Sequence, residues 1–280
     1  MASFSDRLRE TIRRKDSLLC VGLDVDPARV PEPLKGRDDW VYRFNLGIME
    51  ATADLVCAYK PNLAFYEALG ASGMEGLRKT LAAVPEGVLV IGDGKRGDVG
   101  HTARAYARSL FDDLGFDAAT VNPYLGGDSV EPFLEYADRG VILLCKTSNP
   151  GSGDFQDLRC STPWGEIPLY QAVALRAREW NSRGNLGLVV GATYPEELRA
   201  VRALAPEMPF LIPGVGAQAG DLEKTIAYGT DDAGEMAVVN SSRQLIHASL
   251  GKDWQEAARA AALALRDGIN GHRRAKTGGL

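Results

Sequence analysis

The run Val90-Ile-Gly-Asp-Gly-Lys-Arg-Gly-Asp-Val-Gly-His-Thr102 decides how this chain is read. It leaves an apolar stretch, Gly87 to Ile91, and within a few residues sets down Asp93, Lys95, Arg96 and Asp98. That is how a buried strand ends at the mouth of a site. On a strand, side chains alternate faces, so Asp93 and Lys95 share the face of Leu89 and Ile91 and should enter the same interior, with Arg96 turned the other way. Thr102 lies four residues beyond Asp98, one turn along a helix that starts there. Inward charges on one strand need each other, because an unpaired buried charge is costly. A plain structural ion pair would meet the same demand, and perturbed charges mark sites and networks alike.

Outward from this stretch, short apolar runs alternate with helix-patterned segments. The strand candidates are Leu18–Asp24, Leu55–Asn62, Gly87–Lys95, Ala118–Asn122, Val141–Ser148, Leu186–Gly191, Phe210–Val215 and Met236–Ser242. Helical spacing of apolar residues predicts helices over Val41–Ala53, Ala64–Ala83, Thr102–Leu114, Pro168–Ser182, Pro195–Ala205 and Asp253–Gly268. Eight strands alternating with helices predict a closed parallel (β/α)8 TIM barrel, although periodicity alone leaves a doubly wound sheet open. The 280 residues, 45% of them hydrophobic, suit one such domain of about 250 residues, and nothing marks a linker. Residues 1–16 read as an amphipathic N-terminal helix rather than a signal peptide, since charges interrupt its apolar face. Residues 271–280 read as a flexible tail.

Composition excludes several functions. A net charge of −5 without a basic run argues against nucleic-acid binding. No stretch approaches 18 apolar residues, so no membrane span is expected. The four cysteines lack C-x-x-C spacing and read as buried small hydrophobes of a cytoplasmic protein. The three histidines are scattered, so no metal site is expected.

Polar residues close the apolar runs: Asp24, then Lys60 and Asn62, Asp93 and Lys95, Asn122, Thr147 and Ser148. In a barrel these gather on the C-terminal face, where such folds keep their sites. A lone strand-end Asn commonly caps the next helix, which is the reading for Asn122; capping does not cover Asp24, Lys60, Asp93 and Lys95 together. Further on, Pro213-Gly-Val-Gly-Ala-Gln218-Ala-Gly-Asp221 is a glycine-rich turn between a strand and a helix, where backbone N–H groups approach an anion closely. Ser241-Ser-Arg243 brings hydroxyls and a cation to the same place, the usual phosphate position of a barrel.

The combination of Asp93-Gly-Lys95-Arg-Gly-Asp98-Val-Gly-His-Thr102 with Leu23-Asp24, Lys60-Pro-Asn62, Thr147-Ser-Asn-Pro-Gly151 and Pro213-Gly-Val-Gly-Ala-Gln218 resembles the orotidine 5′-phosphate decarboxylase family, in its longer bacterial subfamily. The resemblance runs from about Leu18 to Arg243. It implies loss of CO2 from orotidine 5′-monophosphate to give UMP, on a barrel that dimerises and uses neither metal nor organic cofactor. By motif match, Lys95 would protonate C6 of the pyrimidine, and Asp93 would lie beside the substrate carboxylate. Asp98 and Thr102 would reach into the partner's site. Asp24 and Lys60 would hold the ribose hydroxyls and complete an alternating charge network with Asn62 nearby. Ser148 would meet the pyrimidine, chosen over Thr147 by alignment alone, while Gln218 and Arg243, beside Pro213, would grip the phosphate.

The implied chemistry is physically coherent. Decarboxylation without an electron sink leaves an anion in the ring plane, so the site must hold preorganised positive charge there. A Schiff-base aldolase on the same barrel would need a neutral lysine at Lys95, Lys60 or Lys146, and flanking Asp93 and Asp98 favour the charged form. A non-catalytic nucleotide-phosphate sensor would need the glycine-rich turn and Arg243 but not Lys95 with both aspartates. Residues 149–166, rich in Gly and Pro, are a candidate lid or a long surface loop. Lys146 has no role in this pattern and is expected to point outward and pair with a helix.

Overall fold

The computed structural model describes residues 3–215 and 221–278. Ten strands are formed: β1 (Leu19–Gly22), β2 (Ala58–Lys60), β3 (Leu89–Arg96), β4 (Ala118–Val121), β5 (Gly140–Lys146), β6 (Arg159–Thr162), β7 (Gly165–Pro168), β8 (Leu186–Val190), β9 (Phe210–Pro213) and β10 (Ala237–Ser241). Eight of them close a parallel barrel in the order β1-β2-β3-β4-β5-β8-β9-β10, and β6 and β7 form a separate antiparallel hairpin. Residues of β1, β4, β8 and β10 are buried throughout, as strands covered on both faces must be, which is why they read as continuous apolar runs.

Register fixes which side chains enter the barrel. Cys20 pairs with Asn240 and Ala58, Gly22 with Lys60, and Asn240 with Pro213, so these share the inward face. Tyr59 faces out, its hydroxyl bonded to Thr52 Oγ1 at 2.9 Å.

One end of the barrel is shut by the N-terminal helix. Ser3 and Asp6 form a capping box, and the helix runs Phe4–Lys15 to Asp16, in left-handed backbone at φ 42°. Its apolar side buries Phe4, Leu8 and Ile12, each worth about 1.5–3 kcal/mol of transfer free energy. Phe4 sits so close to Gly140 that a Cβ there would lie 2.6 Å from its ring. Arg7 pairs with Asp117 at the start of β4, and Arg9 and Arg13 with Glu235 just before β10. With the strand starts so covered, the opposite end is left as the mouth.

Several expectations are corrected. Residues 271–277 are no tail: the last helix runs Trp254–Thr277, held by Asn270 Nδ2 donating to the Asp16 carbonyl at 2.7 Å and by Lys276 Nζ donating to that of Thr230 at 2.9 Å. The segment Ala64–Ala83 breaks into Leu63–Glu67 and Gly70–Ala82, because Gly70 takes φ 63°. A helix Gly127–Leu134, with Pro132 inside it, and the β6–β7 hairpin escaped periodicity because both are short. The strands also stop early, leaving Asp24, Asn62, Asn122, Thr147 and Ser148 in loops just past them. Among the described residues no helix is long and apolar enough to cross a membrane.

Candidate active site

β3 carries the charges to the mouth. Asp93 is 7% exposed and its carboxylate collects three donors: Lys60 Nζ to Oδ2 at 2.7 Å, Lys95 Nζ to Oδ1 at 2.7 Å and Thr120 Oγ1 to Oδ1 at 2.9 Å. Burial by itself would raise the Asp93 pKa, but the two ammoniums overcome it and hold the group well below the usual carboxylate range. Lys60, 4% exposed, is pulled down by burial and raised further by Asp93 and then Asp24, so it titrates above an ordinary lysine. Lys95 keeps 46% of its side chain open to solvent at the mouth. The three residues form a chain of alternating charge from the barrel interior to its opening.

The strand is distorted where this happens. Register shifts between Gly92 and Arg96 against β4, and Lys95 takes φ 46°, a left-handed backbone that residues with a side chain rarely adopt. Its N–H donates to Thr120 Oγ1 at 2.9 Å, so one hydroxyl fixes both the strained backbone and the Asp93 carboxylate. Thr120 was missed in the sequence, where it is one polar residue among the apolar ones of β4; only its register beside Asp93 gives it a role. Arg96 turns outward as alternation predicts, pairing with Glu67 and lying 5.3 Å from the Tyr106 ring centroid.

The remaining residues fall around this chain. Asp24 follows β1, its Oδ1 buried without a partner among the described residues, within electrostatic reach of Lys60. Asn62 bridges to Asp93 through the backbone, but its side chain caps the helix Leu63–Glu67, accepting from Ala64 N at 3.2 Å. Its carbonyl oxygen is therefore engaged in capping. Asn122 does not cap a helix as expected, because the next helix, Gly127–Leu134, has Gly126 at its N-cap, and Asn122 Oδ1 instead accepts from Tyr124 N at 3.0 Å in the turn between. Asp98 and Thr102 flank the start of the helix Gly100–Arg108; Asp98 Oδ1 accepts from Val99 N, and no ion pair joins it to Lys95 within the chain. Of the two carboxylates that the motif places around Lys95, only Asp93 meets it within this chain.

On the opposite wall, Ser148 lies between β8 and β9: a Cβ on Gly191 would come within 2.9 Å of its backbone, and one on Gly214 within 3.4 Å of its Cβ. Thr147 Oγ1 is engaged with Asn149 Oδ1 at 2.6 Å and Gln156 Nε2 at 2.8 Å, whereas the Ser148 hydroxyl makes no hydrogen bond among the described residues. Pro213 ends β9, its carbonyl accepting from Ala192 N at 3.0 Å. Arg243 opens the short helix after β10 and is exposed. Gln218 lies outside the described residues. Asn240, on the inward face of β10, also has a buried Oδ1 without a partner among the described residues.

Lys146 points outward as expected, but its ion-pair partner is on a loop rather than a helix. β5 pairs Leu144 with Val189 but Lys146 with Val190, so a bulge breaks the alternation and turns Lys146 out of the barrel interior. Its amine packs over the Tyr170 ring of the covering helix at 5.9 Å, but the anion it meets is Asp157 of the following loop, at 2.7 Å. That loop, the candidate lid, is built of a 3-10 turn at Pro150–Asp154 and the β6–β7 hairpin. Among the described residues no His, Cys, Asp and Glu side chains gather as metal ligands would.

The chain is similar in sequence and fold to known proteins. The model of the orotidine 5′-phosphate decarboxylase / HUMPS family matches residues 17–261. The orotidine 5′-phosphate decarboxylase of Azoarcus sp. (strain BH72) is 52% identical over 272 residues, spanning 96% of this chain and 99% of its own. The solved OMP decarboxylase of Leishmania donovani superposes with a TM-score of 0.84 at 42% identity, over 97% of this chain and 99% of that one. Leishmania donovani UMP synthase superposes at 0.87 with 44% identity over 98% of this chain, which spans 57% of that longer one.

Proposed function

From the premise that the chain belongs to the orotidine 5′-phosphate decarboxylase family, we propose how its own residues carry the reaction. The activity is that of a carboxy-lyase converting orotidine 5′-monophosphate to UMP and CO2. Lys95 donates the proton that C6 receives as CO2 departs. The observation that carries this role is the pairing of Lys95 Nζ with the buried, ionised Asp93 at 2.7 Å, at the open end of the network. A lysine bonded to a carboxylate is held as an ammonium, a proton donor and a fixed positive charge where the carbanion develops. An aldolase's nucleophile would have to be neutral there.

Asp93 then stands beside the substrate carboxylate, and Lys60 keeps it ionised from below. Asp24, with a buried oxygen that has no partner among the described residues, is suited to receive a ribose hydroxyl. Ser148, whose hydroxyl makes no hydrogen bond among the described residues while Thr147 is occupied, takes the pyrimidine. Arg243, with Gln218 and the turn after Pro213, binds the phosphate, whose binding energy holds the reacting carbon in place. Asp98 does not meet Lys95 within the chain, and we assign Asp98 and Thr102 to the site of a partner subunit in a homodimer. Metal and organic cofactors have no part in this scheme. The thiols of Cys20, Cys57 and Cys145 are free and buried, which supports a reducing, cytoplasmic setting.

The test follows the absorbance change of orotidine 5′-monophosphate with EDTA present. Wild-type protein should convert it rapidly, and Lys95→Ala should retain almost none of that rate. Failure of the wild type to convert it would end this reading.

A further inference from the structure

The ammonium of Lys146 is fully buried, yet its counter-charge is Asp157, a half-exposed residue carried by the loop after β5. Ser152 Oγ, 3.3 Å away on the same loop, accepts a second bond. The Tyr194 ring of the loop after β8 covers the amine at 4.6 Å. A buried charge whose anion sits on a loop ties that loop down: lifting it would strand the ammonium without a partner, at a cost far above that of an exposed pair. The neighbouring residues are held by the same latch. Thr147 N donates to Gln156 Oε1 at 2.9 Å, and Gln156 Nε2 returns to Thr147 Oγ1. The Tyr194 hydroxyl meets the Asn149 carbonyl at 3.5 Å. Residues on both sides of Ser148 are therefore fixed, while the Ser148 hydroxyl is left unbonded among the described residues and backed by Gly191 and Gly214.

We propose that Lys146 is a positioning residue that latches the loop after β5 through Asp157 and thereby presents the Ser148 hydroxyl to the pyrimidine. The inference rests on the reading of Ser148 as the base contact given above. It separates two parts of the ligand: the base, seen by Ser148, and the ribose phosphate, held elsewhere.

Calorimetric titration with UMP and with ribose 5-phosphate tests it, on the full-length wild type and on Lys146→Met, Lys146→Arg, Asp157→Asn and Ser148→Ala. Loss of one well-placed neutral hydrogen bond corresponds to about a tenfold change in affinity. Lys146→Met and Asp157→Asn should each weaken UMP about tenfold and leave ribose 5-phosphate within about twofold. Lys146→Arg should recover most of the loss, and in the Ser148→Ala background Lys146→Met should add nothing. Should Lys146→Met not fold, Asp157→Asn, made at a half-exposed position, carries the comparison. Equal weakening of both ligands, unchanged UMP affinity, or a Lys146→Met effect that persists without the Ser148 hydroxyl would overturn the proposal. Wild-type protein that binds UMP no better than ribose 5-phosphate would overturn the Ser148 assignment and the latch with it, whereas turnover lost in Lys95→Ala would still support the decarboxylase reading.

Discussion

Replacing Asp93 by Asn should destabilise the protein more than replacing Lys60 by Met, although both break the same 2.7 Å bond. The difference lies in what each change leaves behind. Lys60 is 4% exposed and Asp93 is its one ion-pair partner among the described residues, so Asp93→Asn strands a buried ammonium. Breaking a buried pair in this way costs about 3–5 kcal/mol. In the reverse case Asp93 keeps Lys95 and Thr120 as donors, and Lys60→Met removes one charge-assisted bond worth about 1.5–3 kcal/mol. With roughly 2–4 °C of melting temperature per kcal/mol for a chain of this size, Asp93→Asn should lower the midpoint by on the order of 10 °C. Lys60→Met should lose about half as much. The double variant removes both charges and should melt above Asp93→Asn alone, because an apolar side chain in place of a stranded ammonium restores stability. Differential scanning calorimetry of the four proteins at pH 7 decides the matter. A double variant as unstable as the sum of the two singles would refute the coupling.

Three further outcomes are expected from the same geometry. Because the Asp93 pKa is depressed in the folded state, its stabilisation should be complete above the unfolded carboxylate pKa of about 4 and fade as the pH falls below it; urea titrations of wild type and Asp93→Asn should differ by a constant amount from neutral pH to about 4, and by less below. A gap that closed between pH 7 and 5 would contradict the ionised, doubly paired state. Mixing Lys95→Ala with Asp98→Ala should restore up to about a quarter of the wild-type activity, since random pairing of subunits gives hybrid dimers with one intact site; no recovery after exchange would place both residues in one subunit's site. Gly191→Ala should raise KM by about tenfold or more with a smaller fall in kcat, because its Cβ would press within 2.9 Å of the Ser148 backbone; steady-state kinetics showing an unchanged KM would count against Ser148 as the base contact.

Much of this protein was settled by order along the chain. Apolar runs alternating with helical segments determine a parallel barrel because each strand, buried on both faces, must be apolar throughout and each helix must cover it. The spacing Asp93, Lys95, Asp98, Thr102 announced the site because charge at the end of a buried apolar strand is costly unless it is paired or put to use. What one dimension could not supply was register and distortion. Thr120 gains its role only from lying beside Asp93 in the neighbouring strand. The left-handed backbone at Lys95 is a distortion that no spacing announces, and the bulge before Lys146 breaks the alternation on which a sequence reading depends. Asn62 and Asn122 carry the same letter at the same kind of position, and each accepts from the backbone N–H two residues further along the chain. The partner of Lys146 could not be read at all, since Asp157 is one of many surface carboxylates until the loop folds back. Local pattern specifies which elements form and which faces they bury. Which polar atoms then meet across the barrel mouth is decided by tertiary packing, where a buried charge must find a partner within about 3 Å.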